Sequence, residues 1–213
     1  MSKYKAHIRY KTRDGTIVPG ATTVTGILGI NKRVLIKWAN NMGLKGIDTS
    51  KYVSDKASIG TLAHALVTDA LAGKKTNTDD YSKNQIDRAE NSALSFWKWE
   101  EHHKIEPILI ETPLSSERGY GGTADIYGKT DGIYELIDLK TGSGIYRESF
   151  IQTAAYKHLL EEAGYSVEKV RILNIPRTET ESFQERIVPS IEKYWGIFLN
   201  CLEIYNSLKE AQK

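Results

Sequence analysis

Near the middle of the chain, Asp125, Asp138 and Lys140 have the types and spacing of a charged reactive site. Residues 133–139 (Ile-Tyr-Glu-Leu-Ile-Asp-Leu) read as a strand. Alternate side chains of a strand share a face, so Asp138 and Lys140 emerge together if the strand reaches Lys140. A second strand is expected over 122–128, joined to the first around Asp131-Gly132. If those two residues form a two-residue turn, as Asp-Gly favours, Thr130 pairs with Ile133 and Asp125 lies opposite Asp138. Opposed residues have Cβ atoms about 4.5–5.5 Å apart, and like charges there repel. A divalent cation offsets that repulsion, and hard carboxylate oxygens suit Mg2+ or Mn2+. A lysine ammonium beside the cation can hold an attacking water or stabilise charge developing on a phosphoryl group. Glu111, closing the short strand signal at 107–112, is a further acid for the same place. A bare Asp-x-Lys also arises by chance. The run Glu135-Leu-Ile-Asp-Leu-Lys140 strengthens the pattern, because buried strands rarely tolerate charge without a use for it. From spacing alone the reading is a metal-dependent hydrolase.

The elements that must position these groups follow from periodicity. Residues 5–10 and 16–18 look like a small hairpin around Arg13-Asp14-Gly15. Thr22 or Thr23 is placed to cap a helix through Ile27, and a second helix is expected over 33–42. Residues 44–54 read as loop. Residues 55–72 carry Ile59, Leu62, Ala63, Leu66, Val67 and Ala70 at helical spacing, ended by Gly73. A long helix is expected over 79–103, with Ile86, Ala89, Ala93, Leu94 and Trp97 inward and Trp99 on the surface. Beyond the hairpin come a helix over 147–163 stopped by Gly164, strands at 168–175 and 184–188, and a last helix over 190–210. The order β-β-β-α-β inside a helical frame predicts an α/β fold, a central mixed β-sheet flanked by helices, with a helical N-terminal region.

With 213 residues the chain suits one domain. It is read as 1–54, a basic hairpin and helices; 55–176, the core; and 177–213, a C-terminal strand and helix. The lone cysteine, Cys201, excludes an internal disulfide or a cysteine-held cluster. No apolar run approaches 18 residues and the start lacks a signal-peptide pattern, so the expectation is a cytoplasmic protein without membrane contact. Residues 1–45 carry nine Lys/Arg against Asp14, a net +8, while the other 168 residues sum to −6. A basic arm on an acidic body fits a polyanion partner; a solvated charged face fits as well. Trp38 beside Lys37, with Lys32 and Arg33 about one turn back, has the make-up of a base-stacking site, though a packed aromatic reads the same way. His64 lies on the flank of its helix's apolar stripe, where a structural and a functional histidine both fit.

Gly121-Gly122-Thr123-Ala124-Asp125, then Glu135-Leu-Ile-Asp-Leu-Lys-Thr-Gly142, then Gln152-Thr-Ala-Ala-Tyr156 resemble the PD-(D/E)XK nuclease superfamily. Its RecB-like branch is the nearest pattern, with a helical Gly-Thr-x-x-His matched by Gly60-Thr61-Leu62-Ala63-His64 and a strand glutamate matched by Glu111. The resemblance spans roughly residues 57–175. Val18-Pro-Gly-Ala-Thr-Thr-Val-Thr25 and the helix around Trp38 further resemble phage-type exonucleases and the mitochondrial genome maintenance exonuclease group. The resemblance implies a restriction-endonuclease-like core hydrolysing DNA at ends or in single strands. Asp125, Asp138, Glu111 and His64 would hold Mg2+ or Mn2+, and Lys140 would position the attacking water. Gln152 and Tyr156 would contact DNA or brace the site, with Lys32, Arg33, Lys37 and Trp38 along the strand. A bacterial or phage-infected host cell, and a recombination or single-strand-binding protein as second partner, fit that role. Ala124 stands where the family label has proline, and the iron–sulfur cysteines of some relatives are missing.

Overall fold

The computed structural model describes residues 8–30 and 32–212. Its centre is a five-stranded sheet in the order β3 (Ile105–Ser116), β4 (Tyr120–Thr130), β5 (Ile133–Lys140), β6 (Lys169–Asn174) and β7 (Gln184–Ile187). Neighbours run antiparallel except β5 and β6, which are parallel and joined through α5 (Arg147–Glu162). The α/β architecture and the mixed sheet are as the sequence predicts. β3 is twice the expected length, and a bulge between Pro107 and Leu109 lets it follow β4 past Gly128.

The alternation of side chains builds two cores from one sheet. Tyr127, Leu136 and Ile172 pack with Leu159 and Leu160 of α5 and with Phe198 of α6 (Ile191–Glu210). Ile126, Ile137 and Leu173 face the other way, onto Val67 of α3 (Thr49–Leu71) and Phe96 of α4 (Lys83–Glu100).

Several expectations are corrected. The N-terminal hairpin is two short strands, β1 (Tyr10–Lys11) and β2 (Ile17–Val18); its expected residues 5–7 lie outside the described residues. Gly20, not Thr22 or Thr23, occupies the cap of α1 (Ala21–Thr25), and no side chain caps it. α2 (Lys32–Leu44) has no buried residue, and Val34, Leu35 and Ile36 are exposed. α3 begins at Thr49 rather than 55, because the Asp48 carboxylate accepts from the N–H groups of Ser50 and Lys51 and caps it. It therefore crosses the expected 54/55 boundary. α4 starts at a capping box of Ser82 and Gln85. Its inward stripe is Ala89, Ser92, Ala93, Phe96 and Trp99, so Leu94 is exposed and Trp99, not Trp97, is the buried tryptophan. Ser92 explains the shift. It is polar but buried, and its hydroxyl donates to the Pro176 carbonyl at 3.0 Å, so an apolar count misplaces the face. Among the described residues, no helix is long and apolar enough to cross a membrane.

Candidate active site

The β4–β5 turn sets the site. Asp131 and Gly132 both have left-handed φ, 53° and 81°, as a two-residue hairpin turn of this hand needs. Thr130 pairs with Ile133 and the ladder runs to Ile126–Ile137. One step further, where Asp125 would face Asp138, the strand pairing ends. There the Asp125 carboxylate takes the Leu139 N–H at 2.7 Å in place of a backbone carbonyl. Asp125 is thereby fixed in the fork between the strands.

Asp138 is 1% exposed. The Lys140 ammonium lies 2.9 Å from its Oδ1 and 2.7 Å from its Oδ2. Lys140 Nζ also donates to Gln152 Oε1 at 3.2 Å, and Gln152 Nε2 donates to Thr22 Oγ1 at 3.2 Å and to the Tyr156 hydroxyl. Gln152 and Tyr156, one turn apart on α5, thus hold the lysine. Tyr156 is buried, a position suited to bracing rather than to touching DNA. Gly122 makes room for it, since a Cβ there would collide with the ring.

On the other side of Asp125, His64 of α3 brings Nδ1 to 3.7 Å from Asp125 Oδ1. Glu111 sits on β3 between the pairs Ile110–Ile126 and Thr112–Ala124, beside Asp125. Its φ of 45° is left-handed, which costs a residue with a side chain about 1–2 kcal/mol. That strain falls on a residue at the site. One donor atom from each of His64, Glu111 and Asp125 lies within 4.8 Å of the other two. Two carboxylates and an imidazole fit a divalent ion. Asp138, expected with them, lies next to Asp125 and is paired with Lys140. Gly60, one turn before His64, lets α3 approach the turn after β5, where a Cβ would lie 2.6 Å from Thr141 Oγ1.

Charge is concentrated here. Burial pushes Asp138 up to about 6; the Lys140 ammonium pulls it down and Asp125 adds to the rise. Lost hydration in the cleft and the charge of Asp125 raise Glu111, although solvent still reaches it. Burial works against charge on Asp125 as well, but His64, Lys140 and the Leu139 N–H outweigh it and hold the carboxyl below its usual range. Against burial, Asp125 lifts His64, and Asp138 with Asp125 lifts Lys140. Metal-free protein should therefore lose stability as pH rises. A carboxyl with a raised folded pKa binds its proton more tightly when folded, so the loss begins near about 4 and runs through the Asp138 value of about 6 to the Glu111 value of about 7. In EDTA the expected loss is about 1–3 kcal/mol across that window. Asp138→Asn should remove the part of it below about 6 and leave the Glu111 part, and melting both proteins across pH is the check.

His64, Glu111 and Asp125 open into a cleft of 790 Å³ whose lining also includes Lys56, Thr141 and Arg177. Lys56, Arg177 and Thr22 were not expected at the site. Lys56 and Arg177 carry no motif and arrive through tertiary packing; Thr22 lies in the Val18–Thr25 motif and reaches the site through Gln152. Lys32, Arg33 and Lys37 are exposed on α2, but none lines the cleft. Trp38 is half-buried, its ring 5.9 Å from that of Tyr52 at 54°. The Thr141–Gly144 turn, a candidate phosphate cradle, is braced from within: Asn174 donates to the Gly142 carbonyl at 3.0 Å, and Ile145 N–H donates to Gln184.

Among solved structures, the chain is similar to a "Putative exonuclease" from Eubacterium rectale, at 14% identity and a TM-score of 0.47. That similarity covers 68% of this chain and 64% of the other, so the chain spans less than two thirds of that protein's length. It is also similar to SSO0001, at 10% identity over 67% of this chain and 74% of the other, with a TM-score of 0.34. No family model matches the chain, and no curated protein matches it.

Proposed function

We propose that this protein is a metal-dependent deoxyribonuclease of the PD-(D/E)XK type, RecB-like branch, that hydrolyses phosphodiester bonds at DNA ends or in single strands. The observation that carries the reading is the meeting of His64, Glu111 and Asp125 at one cleft, with the buried Asp138–Lys140 pair next to Asp125. Buried like charges are costly, and a fold that keeps them together has a use for them.

Asp125, Glu111 and His64 would hold Mg2+ or Mn2+. Such an ion supplies Lewis-acid polarisation of a phosphoryl oxygen and eases deprotonation of water. Lys140, kept protonated by Asp138 and Asp125, is a donor and a fixed positive charge, not a base. It orients the attacking water and stabilises the charge that grows on the phosphoryl oxygens. Asp138 fixes the ammonium from one side and Gln152 from another, so little reorganisation is needed at the moment of reaction. The preference for ends over internal bonds rests on the resemblance alone.

The test is digestion of matched linear and circular single-stranded DNA in Mg2+, Mn2+ and EDTA, beside Asp138→Ala protein. The expected result is metal-dependent loss of the linear strand only, abolished in the variant. Cutting of the circle would make the enzyme an endonuclease. Tight binding with no cleavage of either strand, or of duplex, would leave a DNA-binding module without catalysis.

A further inference from the structure

One wall of the cleft has an order that the catalytic groups do not explain. Tyr52, Lys56, Gly60 and His64 follow one another at four-residue intervals on α3, each beside the next in a row that winds slowly round the helix; the last three line the cleft and Tyr52 lies one turn beyond them. At 1.5 Å per residue they span about 18 Å. The inner end is His64, at the candidate metal ligands. The outer end is Tyr52, 41% exposed, with Trp38 of α2 beside it. Between them Lys56 reaches toward the Tyr52 ring, its Nζ 5.5 Å from the centroid. Gly60, between Lys56 and His64, is where α3 packs closely against Thr141 of the opposite wall.

Lys56 does not stand alone. Arg177, in the chain following β6, lines the same cleft. Glu181 holds it rigidly, accepting from its backbone N at 2.8 Å, Nε at 3.3 Å and Nη2 at 2.6 Å. Burial and the nearby charges of Arg177 and Arg88 lower the affinity of Lys56 for its proton. Glu181 and Asp55 offset part of that repulsion, and the Lys56 ammonium with the remaining Arg177 Nη1 presents positive charge to an anion in the cleft. An aromatic ring next to a cation suits a base joined to a phosphate.

We propose that this face of α3 is the entry track for one nucleic-acid strand, with Tyr52 stacking on a base and Lys56 and Arg177 holding the backbone phosphate that follows it toward His64. The inference rests on the nuclease reading for the identity of its ligand. Its consequence is substrate form. A flat ring at the mouth can stack only on a base whose face is free, so the track takes an unpaired strand.

The test is equilibrium binding in EDTA, where turnover plays no part. The probes are a labelled oligothymidylate, a strand of equal length lacking bases, and a duplex. Tyr52→Ala should weaken the oligothymidylate about fivefold or more and leave the abasic strand unchanged. Tyr52→Phe should restore wild-type binding. Lys56→Gln should weaken both single strands and flatten the dependence of log affinity on log salt by about 0.7. Melting curves like that of the wild type are expected, since Tyr52 is exposed. Equal effects of Tyr52→Ala on the two single strands, or a larger effect on duplex, would overturn the track, as would an unaltered salt slope in Lys56→Gln. Cleavage with these binding effects absent sinks the track and leaves the nuclease; the binding effects without cleavage do the reverse.

Discussion

Lys140→Ala should reduce cleavage on the order of 10²-fold or more while DNA binding in EDTA is kept. The size follows from the loss of a prepositioned charge whose interaction strengthens in the transition state, an effect of about 3–4 kcal/mol where comparable donors are removed. The side chain makes two contacts that the variant loses, one with Asp138 and one with Gln152. Without the ammonium, burial and Asp125 act on Asp138 with only the smaller effect of His64 opposing them, so it holds its proton more tightly. The variant should thus lose the fixed charge and part of the anionic character of the carboxylate behind it. Lys140→Arg should recover little. A planar guanidinium cannot replace a compact ammonium between Asp138 and the Gln152 carbonyl. Single-turnover cleavage of a linear single strand in Mg2+, set beside anisotropy binding in EDTA, separates chemistry from affinity. Cleavage at the wild-type rate would remove Lys140 from the mechanism and return the Asp138–Lys140 pair to a structural ion pair.

The charged centre was legible in the sequence because one local rule fixed its register. Asp131-Gly132 permits a turn with two left-handed residues, and that turn aligns Asp125 with Asp138 by counting alone. Counting could not reveal that the pairing stops one step early and that Asp125 replaces a strand carbonyl at Leu139. Nor could it show how closely Lys140 lies against Asp138, or that His64 and Glu111 come beside Asp125. The left-handed φ of Glu111 has no sequence signal, since no glycine or asparagine marks it.

The helices divide in the same way. α5 and α6 read clearly because each buries an apolar face with a stop or start residue at its end. The first turns of α3 were invisible to periodicity because Tyr52 and Val53 there face solvent, not a core. On α4 a buried serine displaced the docking face. Lys56 and Arg177 come from unrelated parts of the chain and meet at the cleft only through tertiary packing, as Thr22 meets Gln152 beside Lys140.

Arg171→Met should destabilise the fold by about 3–5 kcal/mol, a fall in melting temperature of about 6–20 °C for a chain of this size. Glu135 on β5 is wholly buried, and Arg171 on β6 is 3% exposed. The Arg171 Nε lies 3.3 and 3.2 Å from the two Glu135 oxygens, and its Nη2 lies 3.2 Å from Oε2. Nη1 turns to Glu185 on β7, and the guanidinium lies over the Trp99 ring of α4, 5.1 Å from its centroid. One side chain thus ties three strands and a helix. Removing it leaves the Glu135 carboxylate buried with only Lys169 Nζ, 3.9 Å away. Most of the loss comes from that orphaned charge, not from the worth of the pair. Replacing both partners, Glu135→Leu with Arg171→Met, should therefore recover much of the stability, because a buried pair is worth little net against apolar groups of like volume. Urea unfolding of the two single variants and the double variant measures the coupling. A double variant no more stable than Arg171→Met would mean that the arginine acts mainly through Trp99 and Glu185. In that case it is the packing of β7 and α4 against β6, not the buried carboxylate, that holds the outer strands on the sheet.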